Sequence, residues 1–191
     1  DTFNIDAGTD TVNDLATGDD LVVSSGATAN AINITSFVAD SDTTNSGTVN
    51  LTARAAGGSI DMSSAGGSAS YNLISGSGTD TLKGDAGDDT FTIAATGEGN
   101  NDTFDGDGGS DTLRLSTGTH TLTDNSKVVN IETILAHSSG STVDLTNQTE
   151  VFTITGGAGV DNLTGGTGND IITGAGGNDI IAGGTGNDTI T

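Results

Sequence analysis

Asp161, Asp170, Asp179 and Asp188 fall nine residues apart, and each closes a run of small residues: GGAGVD, GGTGND, GAGGND and GGTGND. Asp is the short carboxylate that fits tight turns and, together with backbone carbonyls, coordinates hard divalent cations. Glycine lets those carbonyls converge, because a residue without a Cβ reaches φ > 0 and tolerates close backbone approach. The chemistry on offer is oxygen-only cation binding. Two residues beyond each Asp stands an apolar side chain, Leu163, Ile172, Ile181 or Ile190, on the same period. A carboxylate and a large apolar residue locked to one period predict a structural unit that stacks on copies of itself. A flexible Gly/Ser/Asn linker would not keep an apolar residue at every eighth place.

The frame recurs upstream. From residue 57 the chain reads GGSIDMSSA, GGSASYNLI, SGSGTDTLK and GDAGDDTFT, then, after four inserted residues (93–96), GEGNNDTFD and GDGGSDTLR. Asp80, Asp89, Asp102 and Asp111 take the sixth place, followed two residues later by Leu82, Phe91, Phe104 and Leu113. Met62 and Tyr71 stand where the first two copies would carry Asp, so those loops are expected to be weak or empty. Residues 1–22 hold degenerate copies, with Asp10 and Asp20 ten apart, and the opening DTFN reads as the tail of a repeat from a longer protein.

Two stretches carry few such loops. In 23–56, AINIT and GTVNLT alternate like strands; in 115–155, THTLT, NIETIL, STVDLT and EVFTIT do the same. Asp40 and Asp42 read as solvated turn residues. A metal-free continuation of the solenoid is expected in both, with a small globular insert as the competing reading for 115–155. The expected organisation is 1–22 (degenerate repeats), 23–56 (Asp-poor β-solenoid), 57–114 (repeat block interrupted at 93–96), 115–155 (Asp-poor β-solenoid) and 156–191 (tandem repeats).

These residues resemble the RTX nonapeptide, G-G-x-G-x-D-x-U-x with U large and apolar, which builds the calcium-binding parallel β-roll of bacterial proteins exported by type I secretion. Among the last four copies only GAGGNDIIA departs, with Ala175 at the second position and Gly176 at the third. The resemblance implies an all-β fold, a right-handed parallel β-roll or β-helix solenoid with two nonapeptides per turn. It also implies calcium between loops of successive turns on one side. That pairs 156–161 with 174–179, 165–170 with 183–188, 75–80 with 97–102, and 84–89 with 106–111, giving at least four Ca2+ sites. The implied ligand positions of the middle block are Gly76, Gly78, Asp80, Gly84, Gly87 and Asp89, with Gly97, Gly99, Asp102, Gly106, Gly108 and Asp111. Those of the last block are Gly156, Gly157, Gly159, Asp161, Gly165, Gly166, Gly168 and Asp170, with Gly174, Gly176, Asp179, Gly183, Gly184, Gly186 and Asp188. Asp10 and Asp20 complete the set, the Asp20 loop stacking on the one that ends at Asp1. Asp85, Asp88 and Asp107 are extra acids within loops, expected to be solvated or to support the ligands from behind.

Composition supports the same chemistry and excludes others. Of 26 carboxylates, 23 are Asp, which a merely solubilising surface would not require. With a formal charge of −22 and only Lys83, Lys127, Arg54 and Arg114 as cations, nucleic-acid binding has no electrostatic basis. Anionic membranes are disfavoured likewise, and no run of 18 apolar residues exists for membrane insertion by a helix. The absence of Cys removes disulfides and thiolate metal sites. A hydrophobic content of 31% with this charge would ordinarily mean disorder. One apolar side chain per nonapeptide does not offset the entropy of ordering it, so metal binding must supply folding free energy.

GAGVDN, GTGNDI and GEGNND begin G-x-G but lack the third Gly of a dinucleotide loop and a following helix. DGDGGS at 105–110 only echoes an EF-hand loop, and neither GxSxG nor HExxH occurs. His120 and His137 are expected at the surface, without metal. No catalytic constellation is present, and the chain is read as a non-enzyme. The expected role is structural: a calcium-dependent segment of an extracellular or cell-surface protein of S-layer or giant-adhesin type. Its expected partners are calcium ions and either neighbouring copies in a surface array or a host or neighbouring cell surface. The alternative is the C-terminal β-roll of a secreted enzyme or toxin whose catalytic domain lies outside this fragment. A ligand- or ice-binding face built from Thr ladders is disfavoured, because no regular T-x-T run spans several turns.

Overall fold

The computed structural model describes residues 1–94 and 100–191. Segments of two to seven residues cannot bury a core alone, so they stack in parallel on their counterparts one turn away. Ten of them make one continuous parallel sheet: Thr9–Val12, Thr28–Ile34, Thr48–Ala53, Asn72–Ser75, Thr90–Ile93, Thr112–Arg114, Thr133–Leu135, Thr153–Thr155, Ile171–Thr173 and Thr189–Ile190. Each step in this sheet takes the chain once round, so the ten strands mark nine turns of an all-β solenoid.

The opposing wall is built in three sections. Thr2–Ile5, Asp20–Val23 and Thr44–Asn45 form the first. Ser36–Val38, Ser59–Asp61, Thr81–Lys83, Thr103–Asp105 and Val128–Val129 form the second. Gly118–Thr121, Ser141–Asp144, Asn162–Thr164 and Ile180–Ala182 form the third. Where one section hands over to the next, a single turn carries three strands. This happens at Thr28–Ile34, Ser36–Val38 and Thr44–Asn45, and again at Thr112–Arg114, Gly118–Thr121 and Val128–Val129.

Turn length follows the sequence. In the last block Thr153 pairs with Ile171 and Ile171 with Thr189, two nonapeptides per turn as the repeat implies. Elsewhere the steps Thr28 to Thr48, Thr90 to Thr112 and Thr112 to Thr133 take 20, 22 and 21 residues. The 18-residue turn expected from the nonapeptide also holds from Thr2 to Asp20 and from Asn72 to Thr90, but it is not uniform along the chain. The surplus residues build the third strands and longer connections. Residues 23–56 and 115–155 are rungs of the same solenoid, with Ala29 on Val49, Leu51 on Leu73, and Leu113, Ile134 and Ile154 in one column.

The core is a narrow file of inward side chains between the two walls. Leu82, Phe91, Phe104, Leu113, Leu163 and Ile172, all at the eighth repeat position, are fully buried. Phe91 and Phe104 meet edge to face, with ring centroids 6.0 Å apart. Ile93 belongs to strand Thr90–Ile93 and is buried, so it is part of the core and not of the inserted stretch. Ala95 and Thr96 lie outside the described residues.

Outward positions also stack in columns. Asn50 donates its amide to Asn30 Oδ1 and Asn72 donates to Asn50 Oδ1, both at 2.8 Å. Thr90, Thr112, Thr133 and Thr153 continue that column. Its uneven spacing hides it from a search for periodic T-x-T. His120, expected at the surface, is fully buried, because it takes an inward position in register with Val143. Its Nε2 lies 2.9 Å from the Ser116 carbonyl oxygen. His137 is half-buried, and its Nδ1 accepts a hydrogen bond from the Ser139 amide at 3.1 Å.

Candidate metal centres

The sixth-position carboxylates sit at the corners where a loop enters a wall. Asp80, Asp89, Asp102, Asp111, Asp161 and Asp170 are all about 1% exposed or less, although nothing in their chemistry favours burial. The backbone compensates them. One oxygen of each of four reaches down a turn: Asp80, Asp89, Asp161 and Asp170 accept the amides of Gly58, Tyr71, Ser141 and Phe152 at 2.6–2.8 Å. The other oxygen accepts the second-position amide of its own loop, from Gly76, Asp85, Gly157 and Gly166, at 2.8–2.9 Å. The amides of these four Asp are in turn accepted by Asp102, Asp111, Asp179 and Asp188, at 2.7–2.9 Å. The sequence frame thus becomes a vertical ladder from carboxylate to amide to carboxylate.

Loop pairing follows the expected register. Gly176 N donates to the Gly157 carbonyl, Thr185 N to Gly166 and Gly108 N to Asp85, each at 3.0 Å. Asn187 N and Ser110 N reach the side-chain oxygens of Asn169 and Asp88 in the loops below. Loops 174–179, 183–188 and 106–111 therefore lie on 156–161, 165–170 and 84–89. For the fourth pair, Asp80 and Asp102 are joined, whereas Gly97 and Gly99 lie outside the described residues.

The two loops of a pair differ in shape. Loops lying on another have positive φ at their second and fourth positions: Asp107 (67°) and Gly109 (120°), Ala175 (67°) and Gly177 (122°), Gly184 (99°) and Gly186 (126°). Their partners below do not. The left-handed glycines of loops 106–111 and 174–179 are thus Gly109 and Gly177, not Gly108 and Gly176. Counting four from the start of each nonapeptide would have found them. Gly165 has a different need: a Cβ there would run into the Gly183 carbonyl and the Asp170 carboxylate.

These residues fit a hard cation. A carboxylate has about four lone-pair sites, and one amide on each oxygen leaves lone pairs unused at Asp80, Asp89, Asp161 and Asp170. Asp85 Oδ2 and Asp111 Oδ2 are buried without any hydrogen-bond partner, which is costly unless a positive charge faces them. The stacked glycine loops add carbonyl oxygens and no side-chain bulk. Bound there, a calcium ion supplies two positive charges against the carboxylates of both loops.

Other predicted positions fall differently. Asp10 lies within Thr9–Val12, opposite Ala29 and exposed, not in a loop. Asp20 begins its strand opposite Thr2, which leaves Asp19, not Asp20, level with Asp1; the added residue in the second degenerate repeat shifts the frame. The Asp20 carboxylate instead groups with those of Asp40 and Asp42, their oxygens within 4.8 Å of one another. Asp85, expected to be solvated or a supporting group, is 1% exposed. Its Oδ1 accepts Gly87 N at 2.7 Å, and the Ala69 amide also faces it. Asp107 is held by Lys83 at 2.8 Å, which also pairs with Asp105 at 2.9 Å. Glu132 went unread: it lies level with Asp111 in the next turn, and its Oε2 accepts Asp111 N at 2.7 Å. The signal was its place one turn beyond Asp111, obscured by a turn length that is not 18.

Burial pushes the carboxyls of Asp89 and Asp111 up to about 7. Asp85 and Asp111 add to the shift at Asp89, and Glu132, Asp88 and Asp85 to that at Asp111. Both groups hold protons more tightly folded than unfolded, so they stabilise the cation-free fold at low pH. That contribution is lost as pH rises from about 4 through about 7. Cation binding needs the deprotonated form. The calcium concentration that folds the middle block is therefore expected to fall between about pH 6 and about pH 8. Calcium titrations followed by circular dichroism at both values check this, and a midpoint unaffected by pH would refute it.

Comparison with known proteins agrees with the geometry. The model of the RTX calcium-binding nonapeptide repeat matches four copies, across residues 72–92, 95–118 and 155–190. No curated protein and no solved structure matches the chain.

Proposed function

We propose that this chain, whose matched segments are RTX calcium-binding nonapeptide repeats, is a calcium-dependent structural module of a secreted or cell-surface bacterial protein, of S-layer or giant-adhesin type. The observation that carries the reading is the in-register stacking of loop pairs over buried carboxylates, an arrangement whose only ready counter-charge is a cation from solution. The Asp-poor turns support a spacer role, since they lengthen the rod without adding an acidic loop pair. Low cytosolic calcium would keep the chain unfolded for type I secretion, and external calcium would then fold it. At least four ions are proposed, one for each stacked pair.

Small-angle scattering, limited proteolysis and electron microscopy with and without calcium test this. With calcium, a protease-resistant rod is expected, its nine turns spanning roughly 45 Å at about 4.8 Å per strand. Ordered two-dimensional arrays that form only with calcium mark the S-layer type, and binding to cells without arrays marks the adhesin. Identical scattering and proteolysis in calcium and chelator would overturn the proposal.

A further inference from the structure

Among the described residues, the middle block contains one loop pair unlike the two of the last block. In 156–161 with 174–179, and in 165–170 with 183–188, each loop brings one carboxylate, at the sixth position. The pair 84–89 with 106–111 has three fully buried carboxylates: Asp89 and Asp111 at sixth positions, and Asp85 at a second position, where 75–80, 156–161, 165–170 and 183–188 have Gly. Its upper loop also has an acid at the second position, Asp107, but Lys83 pairs with that one at the surface. Among the described residues no ion pair involves Asp85. Asp85 Oδ2 and Asp111 Oδ2 are both buried without a hydrogen-bond partner, and Gly108 N on the Asp85 carbonyl fixes one loop over the other.

A mere loop acid would turn to solvent, as the exposed Asp88 of the same loop does. Burying a carboxylate with one oxygen unsatisfied is tolerated where an opposite charge completes it. Calcium affinity at oxygen sites rises with the number of charged ligands and the rigidity of the frame. Resting on the calcium reading above, we propose that Asp85 is an additional ligand of the cation held between loops 84–89 and 106–111, which makes this site tighter than the two of the last block.

The test is calcium titration of the whole chain by calorimetry, with terbium luminescence as a second readout, for the wild type, Asp85→Gly, Asp85→Asn and Asp14→Asn. Asp85→Gly restores the residue that other loops carry at this position, so a purely structural loop would accept it. The binding step of this site is expected to weaken on the order of tenfold in both Asp85 variants. Asp14→Asn, which removes the same charge from an exposed site, leaves that step unchanged. In chelator, Asp85→Gly is expected to be no less folded than the wild type, because it removes a buried uncompensated charge. Wild-type affinity in Asp85→Gly would overturn the proposal while leaving the general calcium reading intact. A wild type that binds no calcium would overturn both.

Discussion

Stripped of divalent cations, the chain is expected to lose most of its β-structure, and to regain it cooperatively at about millimolar calcium. The formal charge is −22, and part of it lies on buried carboxylates that stack from one turn to the next at a spacing of about 4.8 Å. Asp89 lies beneath Asp111, Asp161 beneath Asp179 and Asp170 beneath Asp188. Against this repulsion the core sets one inward side chain per loop, and hydrogen bonds whose net contribution is modest. A ligand that binds only the assembled stack shifts the balance by its binding free energy, and several such sites make the shift steep. Far-ultraviolet circular dichroism during a calcium titration measures it directly. A spectrum unchanged between chelator and millimolar calcium would refute the expectation.

Asp170→Ala is expected to cost the calcium-loaded chain about 3–5 kcal/mol, chiefly in the last block. Its carboxylate does three things at once. It accepts Phe152 N from the turn below at 2.8 Å and Gly166 N from its own loop at 2.9 Å, and it is one of the ligands proposed for the cation between the loop pair. Alanine leaves two buried amides unsatisfied, at about 1–3 kcal/mol each, before the lost ligand is counted. Asp14→Ala removes the same charge from an exposed position and is expected to change stability by about 0.5 kcal/mol or less. Denaturant unfolding in saturating calcium compares the two. Equal effects would refute the assignment of Asp170 as a ligand.

Much of this was legible in the sequence wherever nine-residue spacing survived. Asp and apolar residues locked to one period marked the buried carboxylates and Leu82, Phe91, Leu163 and Ile172 of the core, and the resemblance, with its two nonapeptides per turn, implied the loop pairs. Part of what escaped reading has one cause: the turn is not always two nonapeptides. Glu132 follows Asp111 by 21 residues, and the Thr90–Thr112–Thr133–Thr153 column steps by 22, 21 and 20, so neither appears as a repeat. Asp20 was misplaced for the opposite reason: the step from Thr2 to Asp20 is 18 residues although the second degenerate repeat carries an added one. Asp85 and His120 escaped differently. Their polarity argued for the surface, and only strand register and loop stacking show that one fills a core position and the other lies buried beneath the next loop.

One wall of the solenoid is a single sheet of ten strands, and the other is three sheets set end to end. In mechanical terms the molecule is a beam with one unbroken flange and one jointed flange. Flexing that stretches the unbroken side strains hydrogen bonds along the whole length. Flexing that opens the jointed side can be taken up at the two joints, around residues 36–45 and 118–129, where the strands of adjacent sections overlap without pairing. The rod therefore has a direction in which it yields, fixed by the order in which the chain changes walls.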